Sequence, residues 1–431
     1  MIAEKEVYTL NQFADLLSVS KETLRRWDNS GKLKAKRNKI NGYRYYTDAH
    51  VFACQQLEMF IPSNKEAVNF VKPNNIYKSI ELFAGAGGLA LGFEKAGIEH
   101  TLLNEIDKWA CETLRLNRPE WNISQDDIKN LDFTKFRDEI DVLTGGFPCQ
   151  AFSYAGKKLG LNDTRGTLFF EYARAIKEIN PKICIAENVR GLFNHDSGRT
   201  LNGMINVLNE LGYQVLPPKI LKAIHYNVPQ KRERLILVAI RKDITTEYNY
   251  PLPNRTIYAL KDALKKGTLF SSDVPDSPGQ TYPERKKEIL KMVPPGGYWR
   301  DLPLEVQKEY MLKSFYLGGG KTGMARRISW DEPSLTLTCA PAQKQTERCH
   351  PDETRPFKVR EYARIQTFPD DWIFSGSISQ QYKQIGNAVP VNLAKEIAYS
   401  VIDFLNRYYS EESSSNSAQK LVEKYNQVVG Y

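Results

Sequence analysis

The sequence predicts an α/β protein built on a doubly wound, mainly parallel sheet, with a small helical module before it and an irregular domain inserted behind. Three observations carry this. From Ile80 onward, short apolar runs alternate with helical patterns, which is the signature of strands joined by crossover helices. Gly85, Gly87 and Gly88 interrupt the chain between the first run and the first helix, as a tight strand-to-helix turn requires. Between Asp243 and Gly323 the alternation stops and Pro, Gly and charge take over.

In chain order, residues 1–60 read as a winged helix-turn-helix. Phe13, Leu16 and Leu17 form one apolar face, Ser20 stands at an N-cap, Leu24 and Trp27 form a second face, and Gly31 ends it. Asn41-Gly42 between Lys39-Ile40 and Tyr43 to Tyr46 is a hairpin signal. Residues 61–78 read as a linker, 79–242 with 376–409 as the sheet domain, 243–375 as the small domain, and 410–431 as a mobile tail rich in serine. Within the sheet domain the pairs run IELFA with Leu89–Ala96, TLLNEI with Lys108–Leu116, DVLTGGF with Leu168–Ile179, and KICIAENV with Leu201–Leu211, before RLILVAIR closes the series.

The 431 residues are 41% hydrophobic and carry a net charge of +9. No run of about 18 apolar residues occurs and the N-terminus has no basic-then-apolar leader, so a cytoplasmic protein without a membrane span is expected. The six cysteines lack metal or disulfide spacing. Between Lys21 and Arg44 nine Lys and Arg face two acids, which points to a polyanionic partner at the N-terminal module. Arg25 and Arg26 on its second helix and Arg44 in its wing are the candidate DNA contacts.

Two residues suggest chemistry. Cys149 follows a Gly-Gly-Phe-Pro turn at the C-terminal edge of a buried strand, where α/β sheets hold ligands, and a thiolate there is a nucleophile. Glu105 ends the second strand, where a carboxylate commonly holds ribose hydroxyls. The glycine turn also suits a dinucleotide-binding dehydrogenase, but its G-x-G-G spacing departs from G-x-G-x-x-G.

The segments ELFAGAGG, NEID, GGFPCQAFS, RGTLFFEYARAI, AENVRGL, VPQKRERLILVAIR and QIGNAVP occur in that order, and the chain from about Ile80 to Leu405 thereby resembles the DNA (cytosine-5)-methyltransferases of bacterial restriction-modification systems. The N-terminal module, with GYRYY at Gly42 to Tyr46, resembles the mercury-resistance regulator and excisionase group. The first resemblance implies a methyltransferase fold using S-adenosylmethionine, with double-stranded DNA as partner, a flipped cytosine, and monomeric action. It implies Cys149 as nucleophile at C6, Glu187 at N3 and the exocyclic amine, and Arg234, with Arg232 nearby, at the base carbonyl. For the cofactor it implies Phe83 and Ile128 beside the adenine, Asp127 at its amino edge, Glu105 at the ribose, Gly85 and Gly87 near the methionine part, and Pro148 and Asn387 alongside. Gln150 and Ser153 are implied DNA contacts within a glycine-rich loop, and 243–375 is implied as the target-recognition domain, with Tyr298, Trp299, Arg300, Lys313 and Lys321 as groove-facing candidates. The N-terminal module suggests its own promoter DNA as a further partner.

Two rival readings follow from the same residues: a tRNA cytosine-5 methyltransferase sharing the fold, and a transcription regulator with a sensor domain. The long recognition region and the basic N-terminal module argue against the first. Intact Cys149, Glu187 and Arg234 argue against the second.

Overall fold

A computed structural model of the chain describes residues 7–17, 19–52, 71–148, 168–318 and 321–429, the side chains of 48 and 415–429 excepted. Cys149, Gln150 and Ser153 therefore lie outside the described residues, as do Gly319-Gly320 and most of the linker. Two compact units divide the chain: Met1–Ala67 with Lys222–Arg232 and Leu252–Asp370, and Val68–Leu221 with Glu233–Pro251 and Asp371–Tyr431.

The N-terminal module of the first unit comprises β1 (Val7–Thr9), α1 (Leu10–Leu17), α2 (Lys21–Asn29), β2 (Lys36–Arg37), β3 (Arg44–Thr47) and α3 (Asp48–Phe52). Ser20 caps α2 by accepting the Thr23 amide at 3.0 Å. Phe13 of α1 stacks on Tyr46 of β3 at 4.3 Å, so the aromatic run that marks the wing also closes the module's core. Asp28, buried on α2, ties the helix to the wing. Its carboxylate accepts the Ala35 amide at 3.0 Å, Arg37 at 3.2 Å and Arg44 Nε at 2.6 Å. Burial alone would raise the Asp28 pKa, but Arg44, the amide and Arg37 outweigh it and hold the carboxyl below its ordinary value.

Arg44, expected at DNA, is thus turned inward as a brace, while Arg25 and Arg26 stay exposed on α2. Asp28→Asn breaks this part-buried network and is expected to cost on the order of 3 kcal/mol of module stability. Thermal melting followed by the fluorescence of Trp27, on the same helix, reads the loss as a transition at lower temperature. Because the Asp28 pKa is depressed, its contribution is present above the unfolded value and fades as pH falls through the folded one.

The second unit holds the sheet. Its strands are β4 (Lys78–Leu82), β5 (Glu99–Asn104), β6 (Ile123–Ser124), β7 (Val142–Gly145), β8 (Ile183–Val189), β9 (Tyr213–Val215) and β10 (Lys219–Lys222); β11 (Gln230–Lys231) belongs to the first unit, and β12 (Glu233–Arg241) completes the sheet. The order is β10-β12-β8-β7-β4-β5-β6, with β9 on β12. The run β8-β7-β4-β5-β6 is parallel and β12 is antiparallel to β8. The crossovers are α4 (Gly88–Ala96), α5 (Lys108–Asn117), α6 (Leu168–Ile179) and α8 (Arg199–Glu210), each within a few residues of its expected place, with the short α7 (Gly191–Asn194) before α8 as an addition the sequence pattern does not mark. Ile80, Leu82, Leu143, Phe147, Tyr172, Ile176 and Leu237 bury their side chains in one cluster between the strands and α6 and α8.

In the first unit, α9 (Leu260–Leu264), α10 (Glu284–Lys291), α11 (Leu304–Met311) and α12 (Val359–Ile365) are short, and β13 (Ser334–Leu335) pairs in parallel with β11. With so little regular structure, a guanidinium takes over the hydrogen bonding. Buried Arg327 donates to the carbonyls of Leu290, Val293, His350 and Pro351 and to the Thr354 hydroxyl. Trp299, expected to face a groove, is buried among Ile289, Val293, Leu302 and Met311, whereas Arg300 and Lys313 are exposed.

The chain returns to the sheet unit through α13 (Ile378–Asn387) and ends in α14 (Val391–Val429), which packs on α4. Three boundaries differ from expectation. Residues 243–251 group with the sheet, because Tyr250 donates to the Pro217 carbonyl at 3.1 Å and Tyr248 meets the Phe404 ring. The return begins at Asp371, since Trp372 is buried beside Trp121 and Arg118. The serine-rich segment from Ser410 is helical and continues α14, in place of the expected mobile tail. Ser410, Ser413 and Ser414 turn their hydroxyls onto the preceding helical turn, Ser414 to the Ser410 carbonyl at 2.9 Å for one, and Thr246 donates to Glu411 at 2.5 Å.

Candidate active site

A cavity of about 490 Å³ opens at the C-terminal ends of the parallel strands, all of its lining drawn from the sheet unit. One wall is the β4–α4 turn. Phe83 and Gly85 adopt left-handed φ values of 59° and 55°, and the turn is held there by Glu105. Glu105 Oε2 accepts the Gly85 amide at 2.7 Å while Oε1 accepts those of Ile106 and Asp107 at 2.9 and 2.8 Å. One carboxylate thus shapes both the glycine turn and the loop opposite. Asp107 in turn caps α5 and pairs with Lys383 at 2.9 Å. Burial opposes ionisation of Asp107, but Lys383 and the amides of Ala110 and Trp109 hold its carboxyl below the ordinary range.

The opposite wall carries Gly146, Phe147, Pro148, Glu187, Asn188 and Arg234. Antiparallel register places Ile236 of β12 across from Glu187 of β8, so Arg234, two residues along, projects from the same face. Arg234 Nε meets Glu187 Oε1 at 2.5 Å, with both side chains nearly buried. Asn188 donates to the Phe147 carbonyl at 2.9 Å and so fixes the chain just before Pro148. A Cβ at Gly146, the residue after β7, would stand 3.1 Å from Glu187 Oε2, so a side chain there would have to push the carboxylate aside.

The expected site residues divide accordingly. Phe83, Gly85, Glu105, Pro148, Glu187, Arg234 and Asn387 all line the cavity. Gly87 does not: at φ 82° it starts α4, and a Cβ there would strike Leu114 at 2.6 Å, so packing demands the glycine. Asp127 and Ile128 are also outside the lining. Asp127 caps a 3₁₀ turn through the Lys129 amide at 3.1 Å, and Ile128 is buried in the core cluster. Arg232, one residue before β12, belongs to the first unit, where it is buried and donates to the Leu337 carbonyl at 3.1 Å.

Glu81, Ile106, Asp107 and Lys383 also line the cavity, though the sequence assigns none of them a role. Glu81 was legible: it is the one acid in the otherwise apolar run IELFA.

A sheet of this order with a glycine turn, a strand-end carboxylate and a buried Glu–Arg pair around one cavity defines a methyltransferase-type α/β enzyme. A DNA modification methyltransferase encoded within an Escherichia coli prophage shares the architecture, with a TM-score of 0.55 at 25% identity over 77% of this chain and 99% of its own. Residues 77–403 match the C-5 cytosine-specific DNA methylase family, and the chain belongs to that family. It is 64% identical to the Type II methyltransferase M.Eco47II of Escherichia coli, covering 94% of this chain and 97% of the relative. It is 58% identical to M.PspPI of a Psychrobacter strain, covering 91% and 95%. Residues 8–54 match the MerR helix-turn-helix regulatory family. Among the described residues no helix is long and apolar enough to cross a membrane.

Proposed function

We propose that this DNA cytosine-5 methylase acts in a restriction-modification system, protecting host DNA at a short recognition sequence, and that Cys149, Glu187 and Arg234 carry its chemistry. The observation that supports this most is the Glu187–Arg234 pair at 2.5 Å beside the anchored Phe147-Pro148 turn. A flipped cytosine set against that wall offers C6 to the Cys149 thiolate. As the C6–S bond forms, the ring electrons move toward N3. Glu187 stabilises N3 and the exocyclic amine, and Arg234 steadies both Glu187 and the base carbonyl. C5 thereby becomes an enamine carbon able to take an electrophile. Loss of the C5 proton then expels the thiolate and restores the ring.

Phe83, Gly85, Glu105, Pro148 and Asn387 would hold S-adenosylmethionine, which supplies an electrophilic methyl group without a metal. Glu105 suits this role because three amides already occupy three of the roughly four lone-pair sites of its carboxylate, which aims it rigidly and leaves one on Oε2 for a ribose hydroxyl. Residues 252–370 would read the target sequence in the groove, with exposed Arg300 and Lys313 available to DNA. Arg25 and Arg26 would bring the N-terminal module onto DNA, its own promoter being the natural target for a regulator-like module. A single chain suffices for the reaction.

Nucleoside mass spectrometry tests this reading. The protein is incubated with S-adenosylmethionine, unmethylated genomic DNA and total RNA. 5-Methylcytosine is expected in DNA alone; its appearance in RNA alone would replace this reading with an RNA-directed one.

A further inference from the structure

Glu81 lines the cavity, 1% exposed, in the strand that leads into the glycine turn. Among the described residues its surroundings hold no cation. The Thr144 hydroxyl on β7 stands 3.4 Å away, a long contact, and the backbone of Ala90 in the first turn of α4 offers another. Just after β5 the nearby charge is Glu105, of the same sign. The two cations of the cavity lining are committed elsewhere, Arg234 to Glu187 and Lys383 to Asp107. Burial, with Glu105 adding to it, pushes the Glu81 carboxyl from its ordinary 4.5 up to about 8, which favours the protonated, neutral form.

S-Adenosylmethionine carries a sulfonium that the demethylated product lacks, so the donor brings one more positive charge into this cavity than the product does. We propose that Glu81 is a positioning residue that ionises when the sulfonium donor enters and regains its proton once the methyl group has left, so that the site tells donor from product by charge. The inference rests on the cofactor reading above. On donor binding the Glu81 O–H breaks, the proton leaves to solvent, and the carboxylate faces the sulfonium. On methyl transfer the sulfonium becomes a neutral thioether, the carboxylate is left buried without a counter-charge, and it takes a proton back. Desolvation then favours the acid and weakens the hold on any cation.

Calorimetry with S-adenosylmethionine and with S-adenosylhomocysteine, each in phosphate and in Tris at pH 7, counts the protons. Donor binding is expected to release up to about one proton more than product binding, and the donor-to-product affinity ratio to rise by up to about tenfold per pH unit below pH 8. Glu81→Gln is expected to abolish both effects. Thr144→Val keeps the acid and removes its hydroxyl neighbour, so it moves the rise in affinity ratio to higher pH. Equal proton counts for the two ligands, or a difference that survives Glu81→Gln, would overturn the proposal. Failure of either ligand to bind would overturn the cofactor reading and this inference together.

A melting series without ligand is an independent readout. The raised Glu81 pKa means that its contribution to stability is complete below about 4.5 and declines as pH rises toward about 8. Glu81→Gln is expected to flatten that decline, and an unchanged slope would count against a buried neutral acid.

Discussion

Cys149→Ala is expected to leave no measurable 5-methylcytosine, a loss on the order of 10⁶ in turnover, while binding of DNA and of S-adenosylmethionine persists. The size follows from the chemistry. Cytosine C5 is a poor nucleophile until a group adds at C6 and breaks the ring's aromaticity, so removing the thiol removes the route and does not merely slow one step. Among the described cysteines none substitutes for it: Cys111, Cys184 and Cys349 are buried, and Cys339 belongs to the first unit while the cavity lining comes from the second. Burial, with Glu105 adding to it, pushes the Cys111 thiol up to about 12, the opposite of what a nucleophile needs. Radiometric methyl transfer to unmethylated DNA measures the loss, and filter binding checks that DNA affinity remains.

Glu187→Gln is expected to lower kcat by about 10²- to 10⁴-fold with a small change in DNA affinity. Glutamine keeps the shape but can neither deliver a proton to the electron-rich N3 nor form an ion pair with Arg234. Arg234→Ala acts through the same pair, and truncation leaves a nearly buried carboxylate without its cation, at a cost of about 3–5 kcal/mol to the local structure. Since the two residues work as one unit, the double variant is expected to lose little more activity than the worse single variant. Single-turnover rates of the three variants make the comparison. Additive losses would mean that Glu187 and Arg234 act on the base independently.

Much of the sheet unit is legible in the sequence. Its strands and helices follow from apolar period and glycine placement, and Ser20, Asn41-Gly42 and Gly31 mark the N-terminal module's turns by local chemistry. What is not legible depends on register and on tertiary partners. Nothing in the run VPQKRERL says that Arg234 meets Glu187 while Arg232 is spent on the Leu337 carbonyl; the antiparallel pairing of β12 with β8 decides it. Arg44 looks like a wing contact in the sequence because its partner, Asp28, lies on a different element. Gly87 resembles a ligand-facing glycine, and only the position of Leu114 and Trp372 shows that packing requires it. The serine run after Ser410 has a disordered composition, yet it extends a helix whose earlier turns are anchored by Tyr409 to Asp141 and by Asn406 to the Lys72 carbonyl.

The central claim is that Cys149 attacks cytosine in DNA, and one measurement addresses it directly. A duplex bearing 5-fluorocytosine at the recognition site blocks the final elimination, because fluorine cannot leave as a proton does, so the C6–S bond persists after methyl transfer. Peptide mapping by mass spectrometry of the protein incubated with this duplex and S-adenosylmethionine is expected to find one methylated nucleotide adduct, on Cys149. An adduct on another residue, or none while 5-methylcytosine still forms in unmodified DNA, would contradict the account.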